Sequence, residues 1–289
     1  MSNTPLESTA IVTVTFNSAN QLSAFLGSVG DSEQVDIPVC VVENASPEGE
    51  ATERIASEHN AEFLSLETNL GYGGAVNAAV RRLDPSIDTI LISNPDVAFG
   101  RGLVSELAIW LRDHPETAAV GPRILNADGT TYPSARALPS LRTGIGHAIF
   151  SRVWPENPWS RRYRAEAITN DEARHAGWLS GSCMMVRRSA FEQVGGFDES
   201  YFMYFEDVDL GYRLAKAGWT NDYLPRASAT HYGAQSTSSD PSRMLRAHHD
   251  SALRYLDRKY SARWLAPVRA AIHLGLNLRL RLVLRRSRL

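Results

Sequence analysis

A chain of 289 residues, 43% of them hydrophobic and 21% charged, has the composition of an ordinary soluble globular protein: one large domain, a substantial core and an appendage. No uncharged apolar run reaches the roughly 18 residues of a membrane-spanning helix, and the opening MSNTPLESTA has neither the basic nor the apolar region of a secretory signal. The net charge of −2 hides an asymmetry, because between residues 254 and 289 ten Arg and Lys face Asp257 alone; a basic end on an acidic body points to an anionic partner there, nucleic acid or a membrane surface.

In chain order, AIVTVTF (10–16) reads as a buried first strand of β-branched and apolar residues, and residues 17–29 follow with a capped helical pattern. IPVCVVEN is a second strand that ends at Glu43 and Asn44 and is closed by the turn-forming ASPEGE. A helix over 51–60, a short strand at AEFLSL, a helix over 74–83 and a strand at DTILISNPDV, stopped by Asn94-Pro95-Asp96, continue the alternation. Strands alternating with helices predict an α/β fold with a mostly parallel central sheet flanked by helices. Ligands of such sheets bind at the carboxyl ends of the strands, where Glu43 and Asp96 fall. Beyond Leu125, NADGTTYPSARALPSL and WPENPWSRRYRAE are rich in turn formers, aromatics and arginines and read as long functional loops. A strand over 183–187, a short helix, a Gly-Gly turn, a helix from about Glu206 and a strand at TNDYLPRASAT come next. His248 and His249 lie in a helical pattern and read as surface or packing residues. Cys40 and Cys183 sit in apolar runs, as buried free thiols of a reducing cytosol do. The main domain is placed at 1–240 and a basic helical extension at 241–289. The leucines and arginines of that extension do not segregate on a helical wheel, so an amphipathic anchor, a strand and a solvated tail joining a partner subunit all stand as readings.

Several short stretches carry the chemistry. NLGYGGAVNAAV (69–80) is a glycine-rich turn entering a helix, whose N-terminal N–H groups favour an anion such as diphosphate; lacking a dinucleotide fingerprint or P-loop spacing, it reads equally as a structural turn. Asp96 is either a hard oxygen ligand for a divalent cation or part of an Asx-Pro turn. In YFMYFEDVDLGYRL (201–214), Asp209 is spaced to pair with Arg213. Glu206 and Asp207 stand beside an apolar wall that raises a carboxyl pKa and makes a proton acceptor of it, or they are simply helix-N-terminal acids. His231 is a metal ligand or a structural histidine. WLSGSC (178–183) is a core strand entry or an aromatic platform for a sugar.

The order of these pieces is more telling than any one of them. A first strand ending Thr-Phe-Asn, a second ending acid-Asn-Ala-Ser, then NLGYGGAVN, NPD, WLSGSCMMVRRSAF, GGFDESYFMYFEDVDLGYRL and a late His231 resemble the family-2 inverting glycosyltransferases of the GT-A fold, over about residues 10–236. The resemblance implies donor contacts from Thr15, Phe16, Glu43, Asn69, Gly71, Asn94 and Asp96. It also implies a Mg2+ or Mn2+ ion at Asp96 and His231, an acceptor pocket shaped by Trp178 and Gly181, and Asp207 as catalytic base with Glu206 on an acceptor hydroxyl. The family more often has Asp where this chain has Glu43. Asn94 replaces the first acid of the family's Asp-x-Asp motif, which leaves Asp96 as the main metal carboxylate. YPSARALPSL, WPENPW and YFMYFEDVDLG narrow the likeness to members that build the arabinogalactan linker of a cell wall. That implies dTDP-L-rhamnose as donor, N-acetylglucosaminyl-diphospho-decaprenol, a polyprenyl-diphosphate-linked N-acetylglucosamine, as acceptor, and a cytoplasmic enzyme peripheral on the inner face of the membrane with its basic end on anionic lipid. Galactofuranosyl or N-acetylglucosaminyl donors, a nucleotide-sugar hydrolase or pyrophosphorylase, and a non-catalytic nucleotide-sugar-binding protein are the alternatives. Nucleic acid is not an expected partner, for no base-readout motif is present.

Overall fold

Thr9–Thr15 form β1, and all seven residues are buried. A strand covered on both faces has no solvent side to mark with polar residues: Ala10, Val12 and Val14 enter one core cluster and Ile11 the other. The computed structural model describes residues 5–140, 171–233 and 241–286, and for 241–244, 279 and 281–286 the backbone alone. The WPENPW segment lies outside the described residues.

β2 (Val39–Glu43), β3 (Glu62–Ser65) and β4 (Thr89–Ser93) join β1 in the parallel order β3-β2-β1-β4. The connections are α1 (Ala19–Ser32), α2 (Gly49–Glu58) and α3 (Gly71–Val80), each within a few residues of the helix its sequence pattern predicts. β5 (Val97–Phe99), α4 (Leu103–Asp113) and β6 (Thr117–Asn126) follow; the last two occupy a stretch to which the sequence reading assigns no element. Short pairs come next: β7 (Thr131–Tyr132) on β6, and β8 (Ala135–Arg136) on β10 (Trp178–Leu179). β9 (Arg174–Ala176) pairs with β12 (Thr220–His231). β11 (Cys183–Arg187) lies antiparallel between β4 and β6, and the path ends β6-β12-β5. Six of these eight strands point the same way, with β11 and β5 opposed, so the sheet is mostly parallel as its alternation predicts.

The sheet must curl. Only Asn94, Pro95 and Asp96 separate β4 from β5, a span of about 14 Å at full extension, whereas four strand spacings along the path amount to about 19 Å. The register shift in β12 between Leu224 and Ser228, around Pro225, supplies the bend, and the second half of β12 carries β5. This folds the end of β12 over the end of β4 and sets His231 opposite Val97.

Three helices complete the packing around the later strands: α5 (Arg188–Gln193), α6 (Glu206–Lys216) and α7 (Pro241–Lys259). Tyr255 of α7 is fully buried in a cluster with Tyr201 and Val208, so the boundary set at residue 240 falls in front of a helix that shares a core cluster with α6. α8 (Ala266–Arg286) is helical, which removes the strand reading, and its Leu274 and Leu278 are 73% and 57% exposed. No helix among the described residues is long and apolar enough to cross a membrane. Both cysteines are buried free thiols, each pushed up to about 12 chiefly by desolvation.

Candidate active site

At the carboxyl ends of β1 and β2 the polar groups bond mainly to one another. Glu43 is 1% exposed; its carboxylate accepts from the hydroxyls of Thr15 and Thr52, both at 2.9 Å, and from Ser46 N at 2.8 Å. Its side chain thus fastens the β1 and β2 ends to α2. Phe16, 37% exposed, is the residue of this group that presents an apolar surface outward. Next to it, Asn44 binds Asn69 Oδ1, Gly71 O and Leu70 N at 3.1, 3.2 and 2.9 Å, and Asn69 Oδ1 also accepts from Gly71 N at 2.9 Å. Gly71 has φ +73°, and a Cβ there would lie 2.4 Å from the Phe202 carbonyl oxygen. The glycine therefore permits the Gly-rich loop to touch the aromatic run that precedes the acids.

The curl of the sheet joins the next two residues. Tyr232 N donates to Asp96 O at 3.0 Å, and His231 Nε2 stands 3.1 Å from Asp96 Oδ1. Asn94 is tied in by its backbone, its N–H donating to Ser182 O at 2.9 Å.

The acid pair opens α6. Asp207 Oδ2 accepts from Gly181 N at 3.0 Å and Oδ1 from Val208 N at 2.8 Å. Burial pushes the Asp207 carboxyl above the ordinary carboxylate range, and the same cause, with the adjacent charge of Asp207 added, pushes Glu206 up as well. Glu206 Oε2 is buried and has no hydrogen-bond partner among the described residues. Tyr204 and Phe205 reach this position with φ of 68° and 67°. For side chains of this size each such residue costs of order 1–3 kcal/mol, a strain characteristic of working sites. Asp209 belongs to another system: fully buried, it binds Arg213 at 2.6 Å and Arg258 at 2.8 and 2.9 Å.

Ser180 to Ser182, the turn before β11, connects the two sides. Its Ser182 carbonyl holds Asn94, its Gly181 N–H holds Asp207, and its Gly181 carbonyl accepts the Tyr72 hydroxyl at 2.6 Å. The Tyr72 phenol is driven well above its usual range by burial, followed by the charges of Glu206, Cys183, Asp207 and Asp96. One side chain thus feels the acids of both loops. The Trp178 indole donates to Ala137 O at 3.2 Å and packs against the Tyr201, Val208 and Tyr255 cluster, which ties β10 to α6.

The profile of glycosyl transferase family 2 matches residues 10–195, and that of glycosyl transferase family group 2 matches 161–266. The chain belongs to glycosyl transferase family 2. It is 42% identical over 286 residues to the N-acetylglucosaminyl-diphospho-decaprenol L-rhamnosyltransferase of Mycobacterium tuberculosis, covering 96% of this chain and 93% of that one. Two solved glycosyltransferases share the fold. A mannosyltransferase from Pyrobaculum calidifontis in complex with GDP-Man and Mn2+ superposes with TM-score 0.60 at 15% identity, over 92% of this chain and 69% of its own. GalNAc-T7 with UDP, GalNAc and Mn2+ gives 0.62 at 14%, over 86% and 47%. The fold is therefore GT-A-like.

Within this family-2 fold, the predicted site residues fall into three groups joined by the Ser180 to Ser182 turn: Thr15, Glu43, Asn69 and Gly71; Asn94, Asp96 and His231; Gly181, Glu206 and Asp207. Sequence reasoning missed Tyr72, Asn44 and Ser182, although Tyr72 stands inside the quoted NLGYGG stretch. Gly71→Ala is expected to leave a folded protein whose transfer rate is lower by about 100-fold, since a shift of about 1 Å in the loop misplaces reacting groups; initial rates beside a thermal melt check this.

Proposed function

We propose that this chain is an inverting rhamnosyltransferase that moves L-rhamnose from dTDP-L-rhamnose to N-acetylglucosaminyl-diphospho-decaprenol, an acceptor of arabinogalactan linker synthesis. The observation that carries the reading is the near full-length 42% match to an L-rhamnosyltransferase of that acceptor, in a chain whose acid pair meets the Asn94 to Asp96 loop at one turn. Asp207, steadied by the Gly181 N–H and made more basic by burial, takes the proton of the acceptor hydroxyl as that oxygen attacks the anomeric carbon. The bond from that carbon to the donor phosphate breaks on the opposite face, and the nucleoside diphosphate leaves with the electron pair. Glu206 Oε2, without a partner among the described residues, is available to an acceptor hydroxyl. A single displacement inverts the anomeric carbon without a covalent enzyme intermediate, in contrast to retaining glycosidases.

Asp96 and His231 offer one hard oxygen and one imidazole nitrogen side by side. Among the described residues no group of three or more His, Cys, Asp or Glu could hold a metal ion. Two protein ligands suit Mg2+ or Mn2+ when phosphate oxygens and water fill the other positions. Such an ion would screen the charge of the leaving diphosphate. The deciding experiment is a donor panel (dTDP-L-rhamnose, UDP-galactofuranose, UDP-N-acetylglucosamine) with a short-chain polyprenyl-diphospho-N-acetylglucosamine, with and without EDTA. Rhamnose transfer alone, lost to chelator and restored by Mg2+ or Mn2+, is the expected result; no transfer from any donor overturns the reading, and transfer that survives EDTA overturns the role of Asp96 and His231.

The acceptor's lipid places the reaction at a membrane surface, and the C-terminal end suits one. Trp264 is 79% exposed, as Leu274 and Leu278 are largely exposed, on a segment where basic residues dominate and each adds about 1 kcal/mol near anionic lipid. Flotation with phosphatidylglycerol vesicles is expected to recover the protein at low salt and lose it at high salt; equal recovery with neutral vesicles would count against the electrostatic part.

A further inference from the structure

Tyr204 and Phe205 precede the acid pair in a conformation that aromatic residues do not adopt unaided. The neighbours that hold this turn come from two sides. On one side Tyr72 N approaches Phe202 O at 3.4 Å. On the other stands α7: Ser251 Oγ donates to Met203 O at 2.9 Å, and the His248 ring meets Tyr204 and Phe205 edge-on at 5.5 and 5.4 Å. Tyr255 lies 5.8 Å from Phe205 and 6.1 Å from Tyr212, and Arg258 clamps Asp209 two residues beyond the base.

We infer that α7 is a positioning element for the reaction, with His248 and Ser251 as positioning residues that act through the left-handed turn at Met203 to Phe205 and touch no substrate. The inference rests on the assignment of Asp207 as base. Two consecutive left-handed residues relax toward ordinary backbone geometry once their supports go. Relaxation rotates the first turn of α6, which moves Asp207 Oδ2 off the Gly181 N–H and Glu206 away from the acceptor side. The supports lie about 40 to 50 residues later in the chain, on a helix whose composition alone assigns it to the basic extension.

The test uses the full chain and four variants: Ser251→Ala, His248→Ala, the double variant, and His248→Phe, which keeps a ring against Tyr204 and Phe205. Two measurements are read together, amide hydrogen exchange peptide by peptide and steady-state transfer across pH. In the double variant, exchange over 202–208 is expected to quicken while β1, β4 and α4 keep their protection. kcat falls by about 10-fold, as a misaimed catalytic group demands, and the donor KM is unchanged. The acid limb of the rate profile moves with the altered surroundings of Asp207, and His248→Phe restores most of the rate. Unchanged exchange over 202–208 overturns the inference, as does quickened exchange with wild-type kcat, or protection lost evenly across the sheet. The exchange measurement needs no substrate. A wild-type protein that transfers nothing therefore sinks the functional reading, while the link between α7 and the turn is decided separately.

Discussion

Asp207→Asn is expected to bind the nucleotide sugar as the wild type does and to transfer it about 100- to 10,000-fold more slowly, the usual contribution of a positioned proton acceptor. The amide keeps its one oxygen for the Gly181 N–H and gives up the bond from Val208 N, so the Gly181 hydrogen bond survives and the basicity does not. Isothermal titration with dTDP-L-rhamnose, beside single-turnover rates, separates the two quantities; an Asn variant with wild-type rates removes Asp207 from the mechanism. The same residue carries a pH signature. Because burial raises the Asp207 and Glu206 carboxyls, the folded state holds protons that the unfolded chain has already released. Their stability contribution therefore worsens as pH rises from the unfolded carboxylate range through the raised folded values. Measured against the wild type, the Tm of Asp207→Asn should gain steadily as pH rises to 8 from about 4, near the unfolded Asp value. Activity runs the other way, since the base must be ionised: kcat/KM falls as pH drops through a limb displaced upward from an ordinary carboxylate.

Asp209→Ala should be strongly destabilising. Its carboxylate is wholly inside, and its removal leaves the Arg213 guanidinium without its carboxylate partner, while Arg258 keeps Asp198. Breaking a buried pair in this way costs about 3–5 kcal/mol, and the lower end applies because Arg258 remains more than a third exposed. For a chain of this size about 3 kcal/mol corresponds to a fall in Tm of order 6–10 °C. Arg258→Ala should cost less, because Asp209 keeps Arg213 at 2.6 Å. Differential scanning calorimetry at matched pH ranks the two; a shift for Asp209→Ala no larger than for Arg258→Ala would contradict the buried network.

How much of this the sequence shows depends on whether a feature lives in side-chain type or in backbone geometry. β1, β2 and β4 are legible because strands buried on both faces leave unbroken runs such as AIVTVT and TILIS. The Asp209 and Arg213 pair is legible from its one-turn spacing. α4 is legible too, since Leu103, Leu107 and Leu111 recur at helical spacing. The central features of the site are of another kind. The donor to Asp207 is a backbone N–H of a glycine 26 residues earlier, for which no residue type codes. The left-handed pair at Tyr204 and Phe205 contradicts the preference of its own residues, so local propensity points away from it. Glu43 stands at the strand end its sequence predicts, but the hydroxyls that share its Oε2 lie 28 residues before it and 9 after, while Oε1 takes the Ser46 N–H, and only the fold shows this.

The reversed strand β11 has a consequence for how such enzymes diversify. A parallel sheet sends chain out along one rim, and a strand laid against the grain brings chain back in at that same rim, here as the turn from Ser180 to Ser182 opposite the exit of β4. Under the proposed function the donor-binding strand ends lie in the first hundred residues and the acid pair in the second half of the chain, and the two meet at this one turn. Exchange of the later segment between relatives would then retarget the lipid-linked sugar while the donor half stays untouched.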